Sequence, residues 1–536
     1  MAQISLLDCT LRDGAYITDS RFGVAAMRGI IRKMQEAHVE IVECGWLKNK
    51  EHEEGSSFFH VPEDALAYIS QKEENCCLTA MIDWDRYDDS ILPECDGRSI
   101  DAIRVVFPHG KHGEAMKIGE RIRAKGYRVL FQAANTLAYS EEELGKLAED
   151  MNAFAPVALS VVDTFGAMFF EDLDRILAVL DRKLDKGIRL GIHAHNNQQL
   201  AFALTVHFIE RLIQGERDII VDATLSGMGR GAGNATTELV CSYLNRYHHG
   251  NYDMNAVMDA IDTYIDGFRE RFFWGYSTAY FIAGMYQCHV NNIAYLQNNH
   301  RTNARDMRSI IESLSSEERR HYDYDLLERR YMENQARFVD DGLACEKLRD
   351  RIQERKVLLI APGKSVQIKR EEIKTFIEKE RPLVIAVNAI SEGYDYDLLF
   401  FTNTVRYEYA EASYSRKFAQ TPKILLSSIK TKAEEDEYIL NFDEVVKRGW
   451  EHFDNAVILC LRMLNKLNAH EVYIAGFDGF KTKYNESYCD VNLPTLNPGN
   501  KWEELNEEIT DMYLDVKHST EKQMKIRFVT ESIFDR

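Results

Sequence analysis

The stretch "RLGIHAHNNQQLAFA", Arg189–Ala203, runs an apolar segment into His-x-His-Asn-Asn and then into a sequence with helical character. A strand alternates its side chains, so His193 and His195 point to one side of it. That geometry suits a pair of metal ligands, and it equally suits the inner face of a half-buried strand. The passage from strand to helix decides the fold, because it recurs throughout the first half of the chain. Short runs of β-formers, "ISLLDCTL", "VEIVECGW", "CLTAMIDW", "AIRVVF", "RVLFQAA", "VALSVVDT", "RLGIHAH" and "DIIVDATL", alternate with helix-length amphipathic segments such as "SEEELGKLAEDMNAF" and "FEDLDRILAVLDRKL". Eight βα units over about 250 residues predict a (β/α)₈, or TIM, barrel over residues 1–255, with a doubly wound sheet as the alternative.

Polar residues gather at the C-terminal ends of these runs: Arg12 and Asp13, Glu43, Asp83, Gln132, Asp163, the two histidines and Asp222. In a barrel those ends converge on one mouth, where catalytic groups sit.

Composition narrows the function classes. The chain has 536 residues, 45 % of them hydrophobic, which is enough for two or three domains. A net charge of −20 speaks against a nucleic-acid binder and against an anionic membrane surface. No run approaches the length of a membrane span, and "MAQISLLDCTLRDGAY" lacks the pattern of a signal peptide. Ten scattered cysteines without a Cys-x-x-Cys fit reduced thiols in a cytoplasmic protein.

Between residues 256 and 350 the strand signal stops, and "AVMDAIDTYIDGFRERFFWGYSTAYFIAGMYQCHVNNIAYLQ" reads as a helical extension, followed by the charged linker "LACEKLRDRIQERK". Strand-like runs resume at Lys356: "KVLLIAPG", "PLVIAVN", "DLLFFTN", "KILLSSI" and "EVYIAGFDGF". Residues 351–536 are therefore expected to form a second α/β domain, a three-layer Rossmann-like open sheet. "LLIAPGKSVQ" is not a Walker A loop, because Leu358 stands where its first glycine belongs. The glycine turn at Gly363 is a candidate phosphate contact, and the domain bears a faint resemblance to sialyltransferase-like or nucleotide-sugar-binding domains. Assembly alone is the competing role.

The chemistry concentrates in three motifs. "LLDCTLRDGAY" places Arg12 and Asp13 directly after the first strand, with Gly14 expected to allow a sharp turn. Asp13 offers a hard carboxylate oxygen, and with His193 and His195 it makes a two-His, one-carboxylate set. Such a set with open positions suits manganese, magnesium or iron(II) better than structural zinc. "VDATLSGMGRGAGNATTEL" carries Gly227, Gly229, Gly231 and Gly233 before a helix expected near Asn234, a turn able to present N–H groups to a carboxylate or phosphate.

"TLRDG", "HAHNN" and "DATLSGMGRGAGNA", in that order, resemble the pyruvate-carboxyltransferase-like barrels known as DRE-TIM metallolyases, and 4-hydroxy-2-oxovalerate aldolase in particular, over residues 1–335. "EEGSSFFH" is similar to that aldolase's Gly-Ser-Ser-Phe segment and suggests Ser56 as a substrate contact. "WGYSTAYFIAGMYQCHVNNIAYL" is similar to its helical region with an active-site tyrosine, which points to Tyr276. The resemblance implies a divalent metal, usually manganese, on Asp13, His193 and His195. It also implies Arg12 stabilising an enolate, with Gly229 and Gly231 near the substrate. One departure stands out. The aldolases carry a histidine base two residues after the glycine of the first motif, and here that position is Tyr16. A phenol titrates near pH 10 and is a poor base at neutral pH, which leaves His60, His109 and His112 as other candidates.

The expected activity is a divalent-metal-dependent carbon–carbon lyase joining or separating a pyruvate enolate and an aldehyde, acting on small 2-oxo acids as a homo-oligomer. The alternatives are an acyl-CoA Claisen condensation and a lapsed barrel that serves as a scaffold for the C-terminal domain.

Overall fold

The computed structural model describes residues 2–429, 437–481, 483–497, 499 and 501–535. It divides into two compact units, residues 1–290 and 291–536. The helical stretch expected as a single extension over 256–350 is thus shared between them.

The first unit is a closed parallel barrel. Its strands are β1 (Ile4–Asp8), β2 (Ile41–Leu47), β3 (Cys77–Asp83), β4 (Ala102–Phe107), β5 (Arg128–Ala133), β6 (Ala158–Asp163), β7 (Arg189–Ala194) and β8 (Ile219–Ala223). Each pairs in parallel with its neighbour in sequence. β1 pairs with β8, from Ile4 against Ile219 to Asp8 against Ala223, and with β2, which closes the ring. A two-residue strand, Phe58–Phe59, adds to the outer end of β2.

The two faces of each strand bury different chemistry. The outward faces and the surrounding helices share one large apolar core, in which Leu6, Val42, Phe131, Leu159 and Val221 meet helical residues such as Met27, Leu144, Leu177 and Phe208. Inside the barrel, Leu7, Ile41, Ala102, Leu130, Ala158 and Ile220 form a small apolar plug. Two residues further along the same strands, Glu43, Arg104, Gln132, Ser160 and Asp222 are buried as well. With a period of two, those side chains share the inner face with the plug. A polar layer therefore stands on an apolar floor, and the mouth lies directly above it.

The second unit holds a seven-stranded parallel sheet: β9 (Val357–Ile360), β10 (Leu383–Val387), β11 (Leu398–Phe401), β12 (Lys423–Leu426), β13 (Glu437–Leu440), β14 (Glu471–Ala475) and β15 (Lys525–Phe528). Their order is β13-β12-β11-β10-β9-β14-β15. Direction of travel reverses at β9, which has β10 on one side and β14 on the other. This is an open α/β sheet as expected, with two more strands than the five apparent in the sequence. Among the described residues no helix is long and apolar enough to cross a membrane, and all ten cysteines are free thiols.

Candidate metal centre at the barrel mouth

β1 ends in a four-residue helical turn, Thr10–Asp13, which turns Arg12 and Asp13 inward, both buried. Gly14 has φ −64°, so it is helical and makes no special turn; its role is room, since a Cβ there would lie 2.7 Å from the Thr10 carbonyl oxygen. The Asp13 carboxylate accepts from Arg12 Nη1 at 2.7 Å and from the Asn234 amide. His193 and His195 approach it through Nε2, at 3.9 and 3.7 Å from Asp13 Oδ2. Each imidazole is oriented by its other nitrogen, His193 Nδ1 lying 3.1 Å from Asp222 Oδ2 and His195 Nδ1 2.9 Å from the Asp163 carbonyl oxygen. Such partners on the far ring nitrogen fix the tautomer that leaves Nε2 free as a ligand atom.

Behind the three residues runs a buried circuit of charge. Arg12 Nε donates to Glu43 at 2.7 Å, and Arg104 Nη1 donates to the same Glu43 oxygen at 2.8 Å. Arg104 Nη2 bonds Asp222, which returns to His193 and so to Asp13. Arg104 itself is wholly buried. Three carboxylates (Asp13, Glu43, Asp222) face two guanidiniums (Arg12, Arg104), so with neutral histidines the circuit carries one net negative charge.

The protonation states follow from these contacts. Burial by itself would raise the pKa of Asp13, but Arg12 and the two imidazoles outweigh it and hold the carboxyl well below the usual range. Burial and the Arg12 charge bring His193 down to about 4 against the hold of Asp222, so it is a neutral imidazole at neutral pH. Ionised carboxylate and neutral imidazole are the forms that bind a metal.

The residues present fit a divalent cation. The ligand atoms of Asp13, His193 and His195 lie within 4.8 Å of one another. His193 Nε2 and Asn234 Oδ1 are buried with no hydrogen-bond partner. A buried acceptor without a partner is costly, and a cation placed among the three ligand atoms would satisfy His193 Nε2. Asn234, whose amide donates to Asp13, holds that carboxylate in place, a contact the sequence reading passed over.

A cavity of about 790 Å³, including its open mouth, rises above the centre. Arg12, Asp13, Tyr16, His193 and His195 all line it. Arg230 and His289 line it too, and sequence reasoning had assigned neither. The Arg230 guanidinium carbon lies 3.8 Å from the centroid of the Tyr16 ring, and its Nη1 lies 3.4 Å from His289 Nε2. A lone arginine inside a glycine-rich turn was the available signal. Burial pushes the Tyr16 pKa up to about 12, against the pull of Arg230 and Arg12. Tyr16 is 42 % exposed and solvent softens that push, but its direction leaves a protonated phenol at neutral pH.

Other expected residues stand apart from the cavity lining. The Ser56 hydroxyl lies 2.8 Å from that of Ser20 and accepts from the Phe58 N–H, so it braces a loop. Tyr276 is 56 % exposed, just before the helix Thr278–Met285. His109 pairs with Glu143 and His112 with Asp150, and His60 is absent from the lining as well. The glycines serve packing. A Cβ on Gly229 would lie 2.2 Å from Asn234 Nδ2 and 2.9 Å from Asp13 Oδ2, and the expected helix begins only at Thr237. Gly229 and Gly231 thus let the turn close onto the centre, while Arg230 between them reaches the cavity.

With that geometry in place, comparison with known proteins is informative. Residues 111–263 match the family model described as HMGL-like. The chain is 27 % identical over 270 residues to the 4-hydroxy-2-oxovalerate aldolase of Chloroflexus aurantiacus, an alignment covering 48 % of this chain and 74 % of that enzyme. It is 26 % identical over 267 residues to the oxaloacetate decarboxylase of Mycobacterium tuberculosis, covering 48 % and 74 %. Among solved structures, the carboxyl transferase domain of Rhizobium etli pyruvate carboxylase with pyruvate aligns with TM-score 0.47 and 13 % identity, over 62 % of this chain and 60 % of that one. The aldolase and decarboxylase similarity supports a lyase-type enzyme of the DRE-TIM class.

Proposed function

We propose that the barrel is a divalent-metal-dependent lyase that makes or breaks the bond between a pyruvate enolate and an aldehyde, using a 4-hydroxy-2-oxo acid as substrate. The convergence of Asp13, His193 and His195 with Arg12 over one cavity carries this reading. Asp13, His193 and His195, with Asn234 beside them, would hold the cation, manganese or magnesium from the donor set. A divalent cation bound there supplies Lewis acidity to the carboxylate and keto oxygens of a 2-oxo acid.

The protein's own groups do the rest. Arg12 is clamped through Nε and Nη1 by Glu43 and Asp13, which leaves Nη2 as the donor for the oxygen that gains charge as the enolate forms. Tyr16 retains its proton and acts as a hydrogen-bond donor. Cleavage must take a proton from the substrate's alcohol, and His289 is the imidazole in the lining that is not a metal ligand; it is assigned that transfer. Arg230 receives an anionic group at the far end of the aldehyde portion.

A second reading is favoured by the raised pKa of Tyr16. Decarboxylation of a 2-oxo diacid needs an electron sink but no base for an alcohol, and Arg230 would then hold the second carboxylate. One experiment separates the two: the manganese-loaded protein is given 4-hydroxy-2-oxo acids and oxaloacetate, with pyruvate read by lactate dehydrogenase and CO₂ read independently. Pyruvate with aldehyde and without CO₂ supports the aldolase, and CO₂ from oxaloacetate as the faster reaction supports the decarboxylase. A protein that binds no stoichiometric metal and turns over neither refutes both.

A further inference from the structure

The second unit contains a cavity of about 770 Å³ at the carboxyl ends of its strands. Its walls come from the segments after β9 (Gly363), β10 (Asn388), β11 (Asn403) and β14 (Gly476–Phe480). The break in strand order between β9 and β14 is the place where open α/β sheets bind ligands, and the volume suits a small organic molecule.

The glycine turn after β9 is not the phosphate seat the sequence suggested. Ser365 already donates to Asp478, from its N–H at 2.8 Å and its hydroxyl at 2.5 Å, so a carboxylate of the protein occupies that position. The cationic group on offer is elsewhere. Arg406 lines the cavity, is 8 % exposed, and has no carboxylate partner among the described residues. Its Nη1 is 3.5 Å from the Asn388 carbonyl oxygen, its guanidinium carbon is 4.8 Å from the centroid of the Tyr488 ring, it hydrogen-bonds the Tyr488 side chain, and Asp490 acts on it only at longer range. Burial lowers its pKa and outweighs the opposing pull of Tyr488, Cys489 and Asp490, as expected of a guanidinium with no carboxylate in direct contact. The other arginine in the lining, Arg301, is satisfied by Asp454 and Asn497. Arg406 stands in the first turn of the helix Thr404–Ser413, whose cap, Asn403, takes the Arg406 N–H at 3.0 Å and also lines the cavity. A buried guanidinium beside a helix amino terminus is a pairing made for phosphate. The remaining lining mixes amides that can both donate and accept, Asn388, Asn455 and Asn497, with the aromatic rings of Phe477 and Phe480. Amides match hydroxyls, and the rings match an apolar face.

We propose that this cavity binds a phosphate ester of a hydroxylated organic molecule, a nucleotide or a sugar phosphate, with the phosphate on Arg406. The site is independent of the barrel's chemistry.

Isothermal titration of the full chain tests it with four ribonucleoside monophosphates, glucose 1-phosphate, the corresponding nucleosides and glucose, glucuronate and inorganic phosphate. At least one phosphate ester should bind, and its unphosphorylated parent should bind at least tenfold more weakly. Nucleotide binding and sugar-phosphate binding identify the two sources of the shared chemistry. Arg406→Gln should weaken binding by about 10- to 150-fold, the value of a hydrogen bond to a charged group. Ala456→Asp places a carboxylate in the lining at the first position of the helix Ala456–Lys466, where an acid favours folding. It should abolish binding with the melting temperature kept, so the test survives if Arg406→Gln folds poorly. Pyruvate formation should be unchanged in both variants. The proposal is overturned if no ester binds at millimolar concentration, if glucuronate or inorganic phosphate binds as well as the esters, or if Ala456→Asp binds like the wild type.

Discussion

Arg104→Met tests whether the buried charge circuit is a structural unit. Methionine keeps the apolar stem and removes the guanidinium, taking away the 2.8 Å bond to Glu43 and the bond to Asp222. Three carboxylates then share one guanidinium, and net charge in the polar layer goes from −1 to −3 + 1 = −2. Arg104 is wholly buried, as are Glu43 and Asp222, so water cannot replace the lost partner. Removing one member of a buried ion pair costs about 3–5 kcal/mol. Differential scanning calorimetry should show this loss in the transition of the barrel and leave the other unit's transition in place. The double variant Arg104→Met/Asp222→Asn removes one of the stranded charges and should recover at least about 1 kcal/mol relative to additivity of the single changes. A loss below about 1 kcal/mol for Arg104→Met, or strict additivity in the double variant, would refute the circuit as a coupled network.

The remaining predictions are shorter. His193→Ala and His195→Ala should each abolish stoichiometric manganese binding, read by metal analysis after gel filtration, with the far-ultraviolet circular dichroism unchanged; retained metal would remove the pair from the centre. Arg12→Ala should lower kcat by about 10²- to 10³-fold with Arg12→Lys restoring part of it, as for a lost oxyanion donor, whereas a change confined to KM would mean ground-state binding only. Burial raises the Asp8 pKa to about 6 despite bonds from Thr237 and Thr10. The folded state then holds a proton that the unfolded chain releases near pH 4, so stability is lost as pH rises from about 4 to 6. Asp8→Asn cannot lose it, and its stability relative to wild type, from urea melts, should improve by about 2–3 kcal/mol between pH 4 and 7; a pH-independent difference would contradict the shift.

The fold was legible to different depths in the two halves. Each barrel strand is a run of β-formers bounded by helix-length segments, and His193 and His195 could be placed on one face because the strand period is two. Arg104 escaped notice because "AIRVVF" looks like a buried strand with one stray charge. Its partners lie 61 and 118 residues away, and only closure of the barrel brings them together. Arg230 was hidden among glycines whose small size drew the attention. In the second unit β13 and β15 went unread because they are the two edge strands, partly exposed and charged, as in "KIRF", where the four-residue strands between them are wholly buried. Ser56 and Tyr276 came from resemblance alone, and neither is among the residues lining the cavity.

Closure of the barrel also sets the order in which the protein can come into being. β1 finds one of its two partners in β8, more than 200 residues later, and Asp13 meets Asn234 across 221 residues. On the ribosome the first strand must therefore wait with one edge unpaired until the eighth has emerged, and an unpaired edge is open to wrong partners. The same wait keeps Asp222 and Asn234 apart from Arg104, His193 and Asp13. A nascent chain short of β8 has a charge circuit left open at Asp222 and a centre whose His193 and Asp13 lack their braces. Stability and catalytic competence are thus acquired in one late step, so any cut that removes either terminal strand of the barrel should abolish both at once.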